Sequence, residues 1–180
     1  MRRDQLEHII RAAGDLLGET EIVVIGSQAI LASYEQPAAD ALVRSLEADL
    51  LPLNDPDEAK ADLIDGVLGA GSLFDKTHGV HGDGVSATTP ILPRGWRERL
   101  IQICNANTRW VRGLCLEPHD LVISKMAAGR PKDIEFCEAA VLHGMVGLDV
   151  LQERLELTEL DSVRHERLSG WISAIGRRIM

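Results

Sequence analysis

Apolar and polar positions along this chain follow two rhythms, and the changes between them mark its elements. In "DQLEHIIRAAGDLL" the residues Leu6, Ile9, Ile10, Ala13, Leu16 and Leu17 recur at helical spacing, and a helix ending near Gly18 is expected. "EIVVIG" reads as a short buried strand closing on Gly26. "SQAILASYE" returns to a helical pattern, with Ser27 as its N-cap. "RSLEADLLPLN", residues 44 to 54, alternates with period two. That sends Leu46, Ala48 and Leu50 to one face of a strand and Ser45, Glu47 and Asp49 to the other. "DPDEAKADLIDGVLG" then predicts a helix opened by Asp55 as N-cap and Pro56 as first residue. Between Gly69 and Arg99, glycines and prolines break the periodicity, so turns between short strands are expected. "VHGDGVSAT" and "TRWVRGLCL" are the strand candidates there. From Glu117–Pro118 the helical rhythm takes over, to about Ala128, then over 131–144 with Pro131 in the first turn, and near 148–156 and 162–178.

Composition narrows the class. The 180 residues, 45% hydrophobic and 26% charged, fit one soluble domain with a core of its own. Residues 1–115 are expected to form an α/β part and 116–180 a helical one. Three cysteines, odd in number and without C-x-x-C spacing, suit reduced thiols rather than a disulfide framework. No apolar run reaches membrane-span length, and "MRRDQLEHIIRAAG" lacks the apolar region of an export signal. A cytoplasmic location and no membrane partner are the expectations. The formal charge of −9 is unevenly spread. Glu35 to Asp75 is strongly acidic, whereas Arg94 to Lys132 carries eight bases against Glu98, Glu117 and Asp120. That segregation suits a protein holding cations on one wall and phosphates on the other, or a solvated surface with no ligand.

The acid pair raises the chemical question. Successive residues on one strand face lie ~7 Å apart, so Glu47 and Asp49 hold like charges close together. Two such carboxylates can share a divalent cation, or bracket two. Gly26 lets a triphosphate approach the backbone, and the Ser27 hydroxyl with the following helix N-terminus can bind its phosphates.

A strand ending in Gly-Ser, then a helix, then a strand bearing acid-x-acid resembles the active site of the polymerase-beta-like nucleotidyltransferase superfamily. "LEPHDLVISKMAAGRPKDIEF" is similar to a segment of AbiEii-type nucleotidyltransferase toxins, and "PILPRGWRERL" with "CLEPHDLVISKMAAGR" to a subfamily that includes MenT-type toxins. The resemblance implies an α/β nucleotidyltransferase fold: a small mixed sheet flanked by helices, with a helical C-terminal part. It implies transfer of a nucleoside monophosphate from a nucleoside triphosphate, with Mg²⁺ held by Glu47 and Asp49. Gly26 and Ser27 would hold phosphates, with Arg130 and Lys132 nearby. Lys125 would contact the triphosphate, and Asp133 would position the acceptor or the lysine. An RNA acceptor such as a tRNA 3′ end and a cognate antitoxin partner follow from the toxin likeness. The alternatives are a degenerate binding module for a nucleotide or protein, and a nucleotidyltransferase acting on a small molecule such as an antibiotic.

The sequence departs from the pattern in places. Glu47 stands where most members carry Asp, and the spacer after Ser27 is long, with "EQPAAD" as an apparent insertion. No motif places a third carboxylate, for which Asp65, Asp75 and Asp83 are open choices. His78-x-x-His81 with Asp83 lies in a Gly-rich loop without a second ligand pair, which argues against a separate metal site. Ser45, expected on the face of Glu47, is a candidate control point, because a phosphate there would add negative charge to the pocket. Each residue also has a structural reading. Ser27 caps a helix, Glu47 and Asp49 form the wet face of an edge strand, Lys125 snorkels, and Asp133 favours a helix N-terminus.

Overall fold

The computed structural model describes residues 1–179, and they form a mixed α/β structure with a helical C-terminal part. The order of elements is α1 (Arg3–Leu17), β1 (Glu21–Val24), a 3₁₀ helix (Ser27–Ala32), α2 (Asp40–Val43), β2 (Glu47–Leu51), α3 (Ala59–Leu68), α4 (Leu73–His78) and β3 (His81–Gly84). A 3₁₀ turn (Arg97–Arg99), β4 (Ile101–Ile103) and β5 (Arg112–Cys115) follow, then α5 (Pro118–Ala128), α6 (Pro131–Leu142), α7 (Leu148–Glu156) and α8 (Ser162–Ile179).

The strands form one five-stranded sheet in the order β3-β2-β1-β5-β4. The middle strand β1 runs antiparallel to β2 and parallel to β5, and β2 runs parallel to β3. Ile22, Val23 and Val24 are all buried, as a strand covered on both faces requires. Helix α1 covers one face. Its Leu6, Ile9, Ile10 and Ala13 have no exposed surface, and each large side chain so buried contributes about 1.5–3 kcal/mol. Ile9 lies over Gly82 of β3, and Ile10 over Gly113 of β5. The face of β2 and β3 opposite Ala48 and Leu50 is left for polar groups.

The helices end where the residues say they should. Gly18, Gly79 and Gly129 adopt left-handed conformations after α1, α4 and α5. Glu117 caps α5 by accepting the His119 and Asp120 N–H groups at 3.0 and 3.3 Å, with Pro118 in its first turn. Gly129 ends α5, and Arg130 and Pro131 restart the chain as α6.

Several local expectations are corrected. The segment after Gly26 is a six-residue 3₁₀ helix, not an α-helix with Ser27 as its cap: Gly26 holds the cap position and accepts the Ala29 N–H at 2.9 Å. Arg3 takes the Leu31 carbonyl, which an α-helical turn would need. Asp55 is not the N-cap of α3. The chain turns through Glu58 in a left-handed conformation, and the Asp55 carboxylate reaches in to accept the Lys60 and Ala61 N–H groups, both at 2.9 Å. The strand of the acid pair begins at Glu47, leaving Leu46 exposed and Ser45 in the connection before it, its hydroxyl accepting the Glu47 N–H at 3.2 Å. The Gly-rich stretch contains α4, capped by Ser72. β5 starts only at Arg112, because Arg109 and Trp110 turn the chain at positive φ.

Candidate active site

The site is assembled by strand register. Glu47 and Asp49 project from one face of β2, and parallel pairing with β3 sets Glu47 beside His81 and Asp49 beside Asp83. Four titratable side chains thus share one patch of sheet. Ligand atoms of Glu47, His81 and Asp83 lie within 4.8 Å of one another. Of the three open choices for a third carboxylate, Asp83 is the one that the register sets beside Asp49. Asp65 is committed elsewhere, accepting the Gly84 N–H at 2.6 Å, while Asp75 stands behind His81.

Asp49 turns toward Gly26. A Cβ at position 26 would overlap Asp49 Oδ2 and lie 2.6 Å from its Cγ and 2.9 Å from its Cβ. Gly26 has an extended backbone, φ −83° and ψ −171°, which any residue can adopt. What glycine supplies here is space for the carboxylate.

Helices α5 and α6 deliver the positive charge. Lys125, near the end of α5, and Asp133, in the first turn of α6, are both buried, with Lys125 Nζ 3.2 Å from Asp133 Oδ1. Arg130 grips the same carboxylate, its Nε 2.6 Å from Oδ2. Lys132 reaches across to Glu47, with Nζ 3.2 Å from Oε1. Two clefts flank the acid pair. One, of about 290 Å³, lies among Gly26, Asp49, Thr89, Ser124, Lys125 and Arg130. The other, of about 160 Å³, holds Ser27, Ser45, Glu47, Lys132 and Asp133. A third hollow, of about 440 Å³, adjoins the first at Val85 and contains Arg97.

Electrostatics separate the two halves. Burial, with the Glu47 and Asp83 charges, raises the Asp49 carboxyl above its ordinary value despite Lys125 and Arg130. Burial likewise raises Asp83, against the pull of His81 and with Glu47 and Asp65 adding to it. Burial also works to raise Asp133, but the Arg130 hydrogen bond and the Lys125 charge outweigh it and hold that carboxyl below its ordinary value. The sheet face carries negative charge short of compensation, whereas on the helix face Lys125 and Arg130 share the single Asp133 carboxylate and leave one positive charge over. A divalent cation fits the sheet face, where Glu47, His81 and Asp83 lie close enough to share it and where it would relieve like charges that burial already penalises. Asp49, turned against Gly26, stands outside that cluster.

The basic stretch reads differently in three dimensions. Of its eight cations, six lie in ion pairs: Arg99 with Asp120, Arg109 with Asp15, Arg112 with Glu21, Lys125 and Arg130 with Asp133, and Lys132 with Glu47. Arg94 and Arg97 have no ion pair among the described residues, and Arg97 lies 5.1 Å over the Trp96 ring. The charge segregation along the sequence is largely consumed by pairing within the fold. All the site residues named from sequence, Gly26, Ser27, Ser45, Glu47, Asp49, Lys125, Arg130, Lys132 and Asp133, line the two flanking clefts. The sequence sets His81 aside, with His78 and Asp83, for want of a second ligand pair, and only the β2–β3 register connects it to Glu47. Its separation of two residues from Asp83, matching Glu47-x-Asp49, was the available signal.

A mixed sheet with Gly-Ser after the first strand, a paired-acid strand beside it and cations brought from a following helix defines a nucleotidyltransferase class of protein. The chain belongs to the family of nucleotidyltransferases of unknown function designated DUF6036, which it matches over residues 4–170. No curated protein and no solved structure matches it. Membership supports transferase activity on a nucleotide substrate. No described helix is long and apolar enough to cross a membrane.

Proposed function

We propose that the protein transfers a nucleoside monophosphate from a nucleoside triphosphate to an acceptor hydroxyl, releasing pyrophosphate. The observation that carries this reading is the Asp49 carboxylate seated in the side-chain space of Gly26, with Glu47 and Asp83 on the same face and Lys125 and Arg130 across the cleft. Glu47, Asp49 and Asp83 would hold the divalent cation, for which Mg²⁺ is the first expectation. Bound there, it would supply charge neutralisation of the phosphates and of the leaving pyrophosphate. Lys125 and Arg130 present positive charge to the triphosphate. Asp133 acts as a positioning residue, fixing both cations from a buried seat. Ser27 and Lys132 line the smaller cleft, where the remaining phosphate oxygens or the acceptor would lie.

The toxin likeness makes an RNA end, such as a tRNA 3′ terminus, the first acceptor to test, and an antitoxin protein the first partner. A small-molecule acceptor is the second reading, and the ion pairing of six of the eight bases favours it, because each pair offsets part of the charge that would track a phosphate backbone. The test is incubation with each labelled nucleoside triphosphate and a divalent cation, in parallel with total cellular RNA and with a panel of small hydroxyl compounds including antibiotics. Labelled acceptor with released pyrophosphate, lost in Asp49→Ala, is the expected result. A well-folded protein that binds a nucleotide and labels nothing in either panel would replace it with the degenerate binding module.

A further inference from the structure

We propose that His81 is a metal ligand of this site, which therefore takes a first-row transition cation such as Mn²⁺ in preference to Mg²⁺. The proposal rests on the nucleotidyltransferase reading for the presence of a cation, and on the geometry below for its kind. The imidazole is placed by the same register that places the acids, directly beside Glu47. Its Nε2 lies 3.8 Å from Asp83 Oδ1, and a ligand atom from each of Glu47, His81 and Asp83 falls within one 4.8 Å cluster. An all-oxygen set suits Mg²⁺, whereas an imidazole nitrogen adds affinity for the transition series and little for Mg²⁺.

A second observation concerns the far side of the ring. His81 Nδ1 is buried without a hydrogen-bond partner, and the nearest carboxylate oxygen is Asp75 Oδ1 at 3.5 Å, only slightly beyond bonding length. Asp75 is itself anchored: its Oδ2 accepts the Gly71 N–H at 2.8 Å, and its own N–H donates to Ser72 Oγ at 3.1 Å. The order is carboxylate, imidazole, then cation-binding face. A proton kept on Nδ1 by Asp75 leaves the Nε2 lone pair directed at Glu47 and Asp83, the arrangement by which outer carboxylates orient metal-binding histidines. Asp75 is thus a positioning residue in this scheme. The Lys132 ammonium at 3.2 Å from Glu47 Oε1 already places positive charge against this cluster.

The experiment titrates Mn²⁺ into the full chain and records pulsed electron paramagnetic resonance, which detects nitrogen coupling from a directly bound imidazole. Competition with Mg²⁺ gives the preference. Nitrogen coupling is expected in the wild type, along with a clear preference for Mn²⁺. His81→Ala should abolish the coupling and weaken Mn²⁺ binding by about tenfold or more while changing Mg²⁺ binding much less. Asp75→Asn should weaken Mn²⁺ by about 10–100-fold in the wild-type background and no further in His81→Ala, an outcome that a merely structural role for Asp75 would not produce. Bound Mn²⁺ without nitrogen coupling, an unchanged Mn²⁺-to-Mg²⁺ ratio in His81→Ala, or no cation binding at all would each overturn the proposal. Labelled-nucleotide transfer in Mg²⁺ is an independent readout. Its persistence beside an absent nitrogen coupling would sink the role of His81 and leave the nucleotidyltransferase reading standing.

Discussion

Gly26→Ala is the smallest change that separates the geometry of this site from its composition, since it deletes no functional group. The added methyl meets Asp49 within 2.6 Å at Cγ and 2.9 Å at Cβ and overlaps Oδ2, all shorter than van der Waals contact. The backbone at Gly26 is already extended, so alanine brings no conformational penalty and slightly restricts the unfolded chain. The whole effect falls on the Asp49 side chain, which must leave its rotamer or carry the strand with it. An off-rotamer side chain costs about 0.5–1.5 kcal/mol. Part of that is offset because a displaced Asp49 escapes the burial that raises its carboxyl pKa. The contact at Cβ survives any rotamer change and requires the backbone to shift, so the net loss of stability should be about 1–3 kcal/mol.

Activity should respond far more. Misplacing a reacting group by ~1 Å costs about 100-fold in rate, and the overlap at Oδ2 forces a displacement of that order. Two measurements check this: chemical denaturation for stability, and transfer of a labelled nucleoside monophosphate for rate. A stability loss of about 1–3 kcal/mol in a protein that still unfolds cooperatively, with transfer reduced by about 100-fold or more, is expected. In an Asp49→Ala background the contacts at Oδ2 and Cγ vanish while the one at Cβ remains, so the stability cost of Gly26→Ala should fall only to what that last contact imposes. Wild-type turnover in Gly26→Ala would refute the idea that the carboxylate works from the glycine seat.

Three further outcomes follow from the same geometry. Because the folded Asp49 carboxyl lies above its ordinary value, the folded state keeps that proton to higher pH than the unfolded chain, and stability from this group falls as pH rises through the folded value. Asp49→Asn should accordingly be more stable than wild type at neutral pH, on the order of 1 kcal/mol, with the difference disappearing on acidification below the ordinary carboxylate range, and it should not transfer nucleotide. Asp133→Ala leaves the buried Lys125 ammonium without its carboxylate, whereas Lys125→Met leaves Asp133 paired with Arg130. Denaturation should show the first losing about 3–5 kcal/mol and the second clearly less, while Lys125→Met raises the KM for triphosphate or lowers kcat. Ser45→Asp keeps an oxygen able to accept the Glu47 N–H but adds charge to the smaller cleft, so it should fold normally and transfer more slowly. Full activity in that variant would end the case for Ser45 as a phosphorylation-controlled position.

The helical part of this protein was legible because its signals are local. Glu117–Pro118 and Gly129 bound α5, and Pro131 opens α6, by rules that act within one turn of chain. The acid pair was legible for a similar reason, since alternation along a single strand needs no knowledge of its neighbour. What failed depends on distant groups. The segment after Gly26 has the residues of an α-helix, but Arg3, from another element, claims the Leu31 carbonyl. Asp55 has the residue type of an N-cap and does satisfy first-turn N–H groups, yet from a loop that turns at Glu58. β4 has three residues, too few for any periodicity to declare itself.

His81 shows where single-strand reasoning stops. Read alone, "HGDG" is part of a short strand candidate, and its histidine and acid lack the second ligand pair that a separate metal site would need. Pairing β3 with β2 in parallel matches the spacing of His81-x-Asp83 to that of Glu47-x-Asp49, residue for residue. A slip of one residue would send His81 and Asp83 to the α1 side of the sheet, where Ile9 packs. Gly82 and Gly84 resist that slip. A side chain on Gly82 would press on Ile9 and Leu50, and one on Gly84 would collide with the Ala61 backbone of α3. The bond from the Gly84 N–H to Asp65 fixes the same end of the strand at 2.6 Å. The glycines that break the periodicity around this strand are therefore the residues that set its register, and the register brings a nitrogen and a further carboxylate to the face of Glu47 and Asp49.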